Sequence, residues 1–341
     1  MSGRRRPVAA LVVLATAAVV LVLVAPGALG LADVSPFGQL VALRGLMGLV
    51  LLLAALLVLV ALAARERRAR PRRGLALALA GVLLAGAGAQ GAVLAARGVG
   101  TDGPGDPDDA DLVVLAFNTF GTVPADDLAA LVLAQDADVA VLPETTAETA
   151  RAAAGALTAA GRPTTALAAD AARPDSDGVA LLLRTGLGDY DQVGAGLPAT
   201  ELGTFAAVLG PGGAAEPGAP DRVVATHLRA PSSGRRVPVW RAHTAAIADV
   251  CRSTPGVVVA GDLNATLDHP GLADLGPCVD AARAAGAAGL GTWPAGSPEV
   301  LGAPIDHVLV DGRAWRVAGF AVLPAVGASD HRPVVAHLDR R

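Results

Sequence analysis

Lysine is absent from the 341-residue chain, so all 27 basic side chains are arginines, a bias of coding rather than of chemistry. Only two cysteines occur, Cys251 and Cys278. Neither has the spacing of a metal ligand, which excludes a thiolate metal centre. Aromatic residues make up 3% of the chain, too few to build the stacking platforms on which single-stranded nucleic acids lie. No internal repeat is visible, and after about residue 100 no apolar run is long enough to cross a membrane.

What is present is unevenly placed. Hydrophobic residues reach 53%, too many for a purely soluble protein. Residues 1–97 hold 11 arginines against Asp33 and Glu66, whereas residues 98–341 hold 16 arginines against 29 acids. Such a split predicts a basic part against a cytoplasmic membrane face and an acidic part that stays in water.

Three apolar runs, near 8–32, 37–64 and 74–96, each have the roughly 20 residues that a membrane-spanning helix needs. Arg4, Arg5 and Arg6 precede the first, and Arg65, Arg67, Arg68, Arg70, Arg72 and Arg73 separate the second from the third. The positive-inside rule puts both clusters in the cytoplasm and everything after the third span outside. A cleaved signal peptide is the other reading of the first run, with its basic start and small residues near Ala28–Ala32. Arg44, near the start of the second run, is expected to snorkel to the interface. No pair of Asp, Glu or His lies within the runs, which argues against an active site inside the membrane.

Residues 99–111, rich in Gly, Pro and Asp, predict a flexible linker, leaving 112–341 as one mixed α/β domain. Strands are expected at 112–117, 139–142, 179–183, 205–209, 223–226, 257–260, 305–310 and 334–338, and helices at 126–134, 147–160 and 239–251. Gly210–Pro220 reads as a loop.

Polar residues recur at the ends of these strands, where α/β sheets place ligands. Asn118 follows the first, Glu144 the second, His227 ends another, and Asp262 and Asn264 follow 257–260. Asp306 and the Asp330–His331 pair come late. Singly, each has a plain structural use as a turn or helix cap. As an ordered set they point to a hard cation and proton transfer.

That set resembles the endonuclease/exonuclease/phosphatase superfamily over about residues 112–338, through Asn118, Leu142-Pro143-Glu144, Thr226-His227-Leu228, Gly261-Asp262-Leu263-Asn264, Ile305-Asp306-His307 and Ser329-Asp330-His331. The resemblance implies a four-layer sandwich, two mixed β-sheets flanked by helices, here preceded by three transmembrane helices. It also implies hydrolysis of a phosphoester by activated water with Mg²⁺, or Mn²⁺ as a substitute. Glu144, Asn118 and Asp330 would hold the metal. Asp262 would orient the water, Asn264 would hold a phosphate oxygen, His331 would contact phosphate or move a proton, and Asp306 would fix the His331 tautomer. His227 is a candidate to protonate the leaving oxygen, with no carboxylate partner evident in the sequence.

His243, His269 and His337 have ordinary packing or surface uses, and His307 should point away from Asp306. Trp293 fits either the pocket wall or a buried wedge. Cys251 and Cys278 fit a disulfide or two buried thiols. The acidic domain lacks the basic track of a nucleic-acid enzyme. The expected partners are therefore a lipid bilayer and a lipid or small cell-surface phosphoester, with an extracellular nuclease as the alternative. A non-catalytic membrane receptor keeping the fold would have lost the carboxylate–histidine set. A serine hydrolase lacks its Gly-x-Ser-x-Gly elbow.

Overall fold

A computed structural model describes residues 5–64, 73–100, 110–172, 177–197, 200–212, 216 and 218–341. Most of the two arginine clusters, and residues 101–109 of the expected linker, lie outside the described residues.

The apolar N-terminal third forms α1 (Arg5–Val24), the short α2 (Phe37–Ala42), α3 (Arg44–Ala64) and α4 (Arg73–Arg97). Three of them, over Pro7–Val24, Arg44–Ala64 and Arg73–Arg97, are long and apolar enough to cross a membrane. The first expected run is therefore shorter than its apolar stretch, and the second is split at Leu43, whose non-helical backbone separates α2 from α3.

The break has a reason in Arg44. Instead of snorkelling outward, its side chain is buried: Nε donates to Asp268 Oδ2 at 2.8 Å, and Nη1 donates to Gln90 Oε1 at 2.7 Å and to the Val24 carbonyl at 3.1 Å. Arg97 reaches the same carboxylate at 2.7 Å. One acid of the C-terminal part thus ties together the ends of α1, α3 and α4. Burial opposes the charge on Asp268, but the two arginines outweigh it and hold its carboxyl below the ordinary range. The chain after α4 is pinned too: the Gly100 N–H donates to the Gly286 carbonyl, and Gly98, at φ +82°, sits where a Cβ would collide with Gly286. Removing one member of a buried pair costs about 3–5 kcal/mol. Arg44→Ala is therefore expected to lower the unfolding midpoint of the full chain in lipid nanodiscs, and Arg44→Lys to recover only part of it, because lysine cannot reproduce the two-pronged contact.

The rest of the chain builds two six-stranded mixed sheets. The strands are β1 (Leu112–Ala116), β2 (Val139–Pro143), β3 (Thr164–Ala169), β4 (Val179–Arg184), β5 (Tyr190–Val193), β6 (Phe205–Leu209), β7 (Arg222–His227), β8 (Val258–Asp262), β9 (Cys278–Asp280), β10 (Asp306–Asp311), β11 (Trp315–Val322) and β12 (Val334–Arg340). One sheet has the order β11-β12-β1-β2-β4-β3 and the other β5-β6-β7-β8-β10-β9.

Alternation along β1 shows how the layers form. Leu112, Val114 and Ala116 face the core between the sheets. Val113 and Leu115 face α5 (Ala125–Ala134) and α6 (Ala147–Ala159). On the second sheet, Val224 and Val259 pack against Trp240 and Ile247 of α7 (Val237–Ser253). Such strands are buried on both faces, which is why they read as continuous apolar runs. Cys251 at the end of α7 and Cys278 in β9 form a disulfide across a Cα–Cα distance of 5.5 Å, so of the two uses left open for these residues the structure takes the first.

Candidate active site

Two parallel pairs bring the polar strand ends to one rim. β1 runs parallel to β2, so Asn118 and Glu144 leave the first sheet side by side. β7 runs parallel to β8 with His227 opposite Asp262. β10 is antiparallel to β8 and starts with Asp306 opposite Asp262, which adds the first residue of one strand to the last of its neighbour. The loop before β12 carries Asp330 and His331 to the same place.

The contacts are dense. Asn118 Nδ2 donates to Glu144 Oε1 and to Asp262 Oδ2, each at 3.1 Å. His331 Nδ1 donates to Asp306 Oδ2 at 2.8 Å, leaving Nε2 3.9 Å from both Asp262 Oδ2 and Asp330 Oδ1. His227 Nε2 lies 3.6 Å from Asp262 Oδ2 and 3.7 Å from Glu144 Oε1, which supplies the carboxylate neighbours that the sequence left unidentified. All eight residues singled out from the sequence therefore form one cluster, six of them lining a single cleft and Asn118 and Asp306 buried behind it.

Hydrogen bonding at Asn264 and burial at His227 bear on the roles expected of them. Both amide hydrogens of Asn264 are spent, on the Leu228 carbonyl at 2.9 Å and Asp262 Oδ2 at 3.0 Å, while its backbone N–H donates to Asp262 Oδ1 at 2.7 Å. Asn264 clamps Asp262 and has no N–H left for a phosphate oxygen. Burial, followed by the charge of His331, lowers His227 to about 4. Burial thus favours the uncharged ring of His227 and works against a standing proton donor there.

His331 is the opposite case. Burial works against its charged form, but Asp306, with help from Asp262 and Asp330, raises it to about 10. Burial and the neighbouring charge of Asp306 raise Asp262 to about 7. Burial, with Asp330 and Asp177 nearby, raises Glu144. Buried like charges of this kind are common at functional sites. Glu144 and Asn264 also take left-handed backbone, at φ 55° and 46°, a strain of about 1–3 kcal/mol each that turns the two side chains back over the strand ends.

The donor set suits a hard cation. Asp330 Oδ1 and Asp306 Oδ1 are buried acceptors with no hydrogen-bond partner among the described residues. Asp262, Asp306 and His331 offer ligand atoms within 4.8 Å of one another, and Glu144 and Asp330 line the cleft beside them.

Surrounding residues complete the cleft. Trp293 lines it and donates Nε1–H to Asp330 Oδ2 at 2.8 Å, so it belongs to the pocket wall. Ser329 Oγ donates to the Asn118 carbonyl at 2.7 Å and accepts the His331 N–H at 3.0 Å; it braces the loop and is not aimed as a nucleophile. His307 turns to the other side, onto Asp280 and the Ala265 carbonyl. His269 is a buried packing residue, but one whose Nε2 contacts the Gly38 carbonyl at 3.0 Å, across the seam with α2.

A four-layer α/β sandwich with this carboxylate–histidine rim defines a class of hydrolases that act on phosphoester bonds. The chain belongs to the Endonuclease/Exonuclease/phosphatase family, whose pattern matches residues 115–331, a family that includes phosphatases and nucleases. No curated protein matches in sequence. Solved structures similar in fold include a functionally unknown conserved protein from Enterococcus faecalis, at 16% identity and TM-score 0.50, covering 67% of this chain and 100% of that one. A humanized D. rerio TDP2 has 13% identity and TM-score 0.50, covering 67% and 98%. An endonuclease/exonuclease/phosphatase from Beutenbergia cavernae has 22% identity and TM-score 0.48, covering 67% and 71%.

Proposed function

We propose that the chain is a divalent-metal-dependent phosphoesterase, with residues 112–341 as its catalytic unit, that acts outside the membrane on a lipid or small cell-surface phosphoester. The observation that carries the reading is the gathering at one rim of Glu144, Asp262, Asp306 and Asp330 around His331, whose Nδ1 is fixed by Asp306 at 2.8 Å. Glu144, Asp330 and Asn118 Oδ1, which accepts the Phe120 N–H through one lone pair, would hold the ion, Mg²⁺ or in its place Mn²⁺, which would supply charge neutralisation at the phosphate.

The protein's own groups divide the remaining work. Asp262, clamped by Asn118 and Asn264, is placed to orient a water and accept its proton. His331 presents a charged Nε2–H to the phosphate or the leaving oxygen, the task first expected of His227. His227, neutral and buried beside Asp262 and Glu144, positions those carboxylates.

The placement outside rests on the arginines at 4–6 and 65–73, which favour the cytoplasm, and on the disulfide, which suits an oxidising compartment. The test is turnover of bis(4-nitrophenyl) phosphate by the full chain in nanodiscs. Chelation with EDTA is expected to abolish it and Mg²⁺ or Mn²⁺ to restore it. Turnover that survives chelation would remove the metal role.

A further inference from the structure

The cleft is larger than the eight polar residues require. Its cavity, about 600 Å³, has a second wall built from the membrane part of the chain: Gly38, Gln39 and Ala42 of α2, and Leu43 at the break before α3. That wall stands one residue from the end of a helix long and apolar enough to span a bilayer. It is held in place by the Arg44–Asp268–Arg97 ion pairs and by the His269 contact with Gly38.

Gln39 supplies an independent sign of a ligand. Its Nε2 donates to the Pro231 carbonyl. The other end, Oε1, is a buried acceptor with no hydrogen-bond partner among the described residues. A buried acceptor left open costs free energy unless something donates to it, and Gln39 lines the cavity. Ala42 and Leu43 beside it, with Leu202 and Ile305, make the remaining wall apolar. Arg236, at the cleft edge, bonds only to Ser232 Oγ and has no carboxylate partner among the described residues.

The geometry points to a two-part substrate site whose α2 wall selects a phosphoester lipid of the same leaflet, with Gln39 Oε1 accepting from a hydroxyl or N–H near the phosphate. The inference rests on the phosphoesterase reading and narrows it. The phosphate faces His331 and the carboxylates, the headgroup donor meets Gln39, and the apolar chains leave past Leu43 along α3 to the bilayer. A water-soluble ester lacks the third of these contacts, and one without hydroxyls near the phosphate lacks the second as well.

The experiment uses the full chain in phosphatidylcholine vesicles with Mg²⁺ and three probes: embedded phosphatidylglycerol, whose headgroup has hydroxyl donors; embedded phosphatidylmethanol, whose headgroup has none; and chainless glycerophosphoglycerol in solution. Bis(4-nitrophenyl) phosphate is run beside them as the reference. Phosphatidylglycerol is expected to be the best of the three. Gln39→Leu is expected to reduce the preference for phosphatidylglycerol over phosphatidylmethanol about tenfold, the discrimination one buried polar contact supplies. Leu43→Asp is expected to lower the ratio of lipid to bis(4-nitrophenyl) phosphate kcat/KM by at least about tenfold, by charging the apolar wall.

Equal turnover of glycerophosphoglycerol and the lipid, or ratios unmoved by both substitutions while the reference ester is still cleaved, would overturn this inference and leave the phosphoesterase reading standing. Absence of turnover on every probe, the reference ester included, would overturn both.

Discussion

Asp262→Asn is expected to reduce kcat on any accepted phosphoester by about 10³–10⁴-fold, the upper part of what a positioned general base contributes. The change removes a proton acceptor held by three hydrogen bonds from Asn118 and Asn264 at the centre of the rim, yet keeps its size and planar shape. Burial makes the charged carboxylate costly in the folded state, as its rise to about 7 indicates. The neutral amide relieves that cost but sets an NH2 against the N–H donors that Oδ2 accepts from, an opposing cost of about 1–3 kcal/mol, so the rate is compared at a temperature where the unfolding midpoint shows the variant folded. A large loss of rate in a folded variant is the signature of a chemical role. A variant that keeps more than about a tenth of the rate would assign the base elsewhere.

The second large effect concerns the alkaline side of the pH profile. With His331 held up to about 10, its proton is present through the neutral range and is lost only above it. Asp306 is the chief contributor that raises it, through charge and a 2.8 Å hydrogen bond. Asp306→Asn removes the charge and, with it, the largest opposition to the burial that favours the neutral ring. The pKa of His331 then falls, and the alkaline limb of kcat/KM moves to lower pH. At neutral pH the loss is expected to be on the order of 10²-fold, the usual scale of acid–base assistance, and partly recovered as the pH is lowered. A profile that drops without shifting would make Asp306 a packing residue rather than the group that charges His331.

These expectations draw on features that differ in how visible they are in the sequence. The eight strands expected from apolar runs are the eight central strands of the two sheets. The four that were not foreseen, β3, β5, β9 and β11, are the four edges. Central strands are covered on both faces and must be apolar throughout. Edge strands carry mixed sequences such as Tyr190–Val193, half-exposed to exposed along its length, or the bulged Trp315–Val322, and leave no such trace.

The candidate site follows the same logic. Asn118, Glu144, His227 and Asp262 are legible because parallel neighbours end at one rim. Asp306 enters because the β8–β10 register sets it opposite Asp262, a fact no local pattern contains. What Asn264 and His227 do was not legible, because it depends on which hydrogen atoms are already spent and how deeply a ring is buried. Arg44 was misleading for a similar reason. An arginine at the head of an apolar run has a sufficient local explanation, and its partner Asp268 lies 224 residues away in the chain. The α2 wall of the cleft was invisible for the same cause.

The most direct measurement follows oxygen during hydrolysis by the full chain in nanodiscs, with Mg²⁺ and ¹⁸O-labelled water. Attack by a water that Asp262 orients puts the label in the phosphoryl product and leaves the released alcohol unlabelled. Label in the alcohol, or no phosphoester cleaved at all while the fold is intact, would contradict a phosphoesterase centred on Glu144, Asp262 and His331.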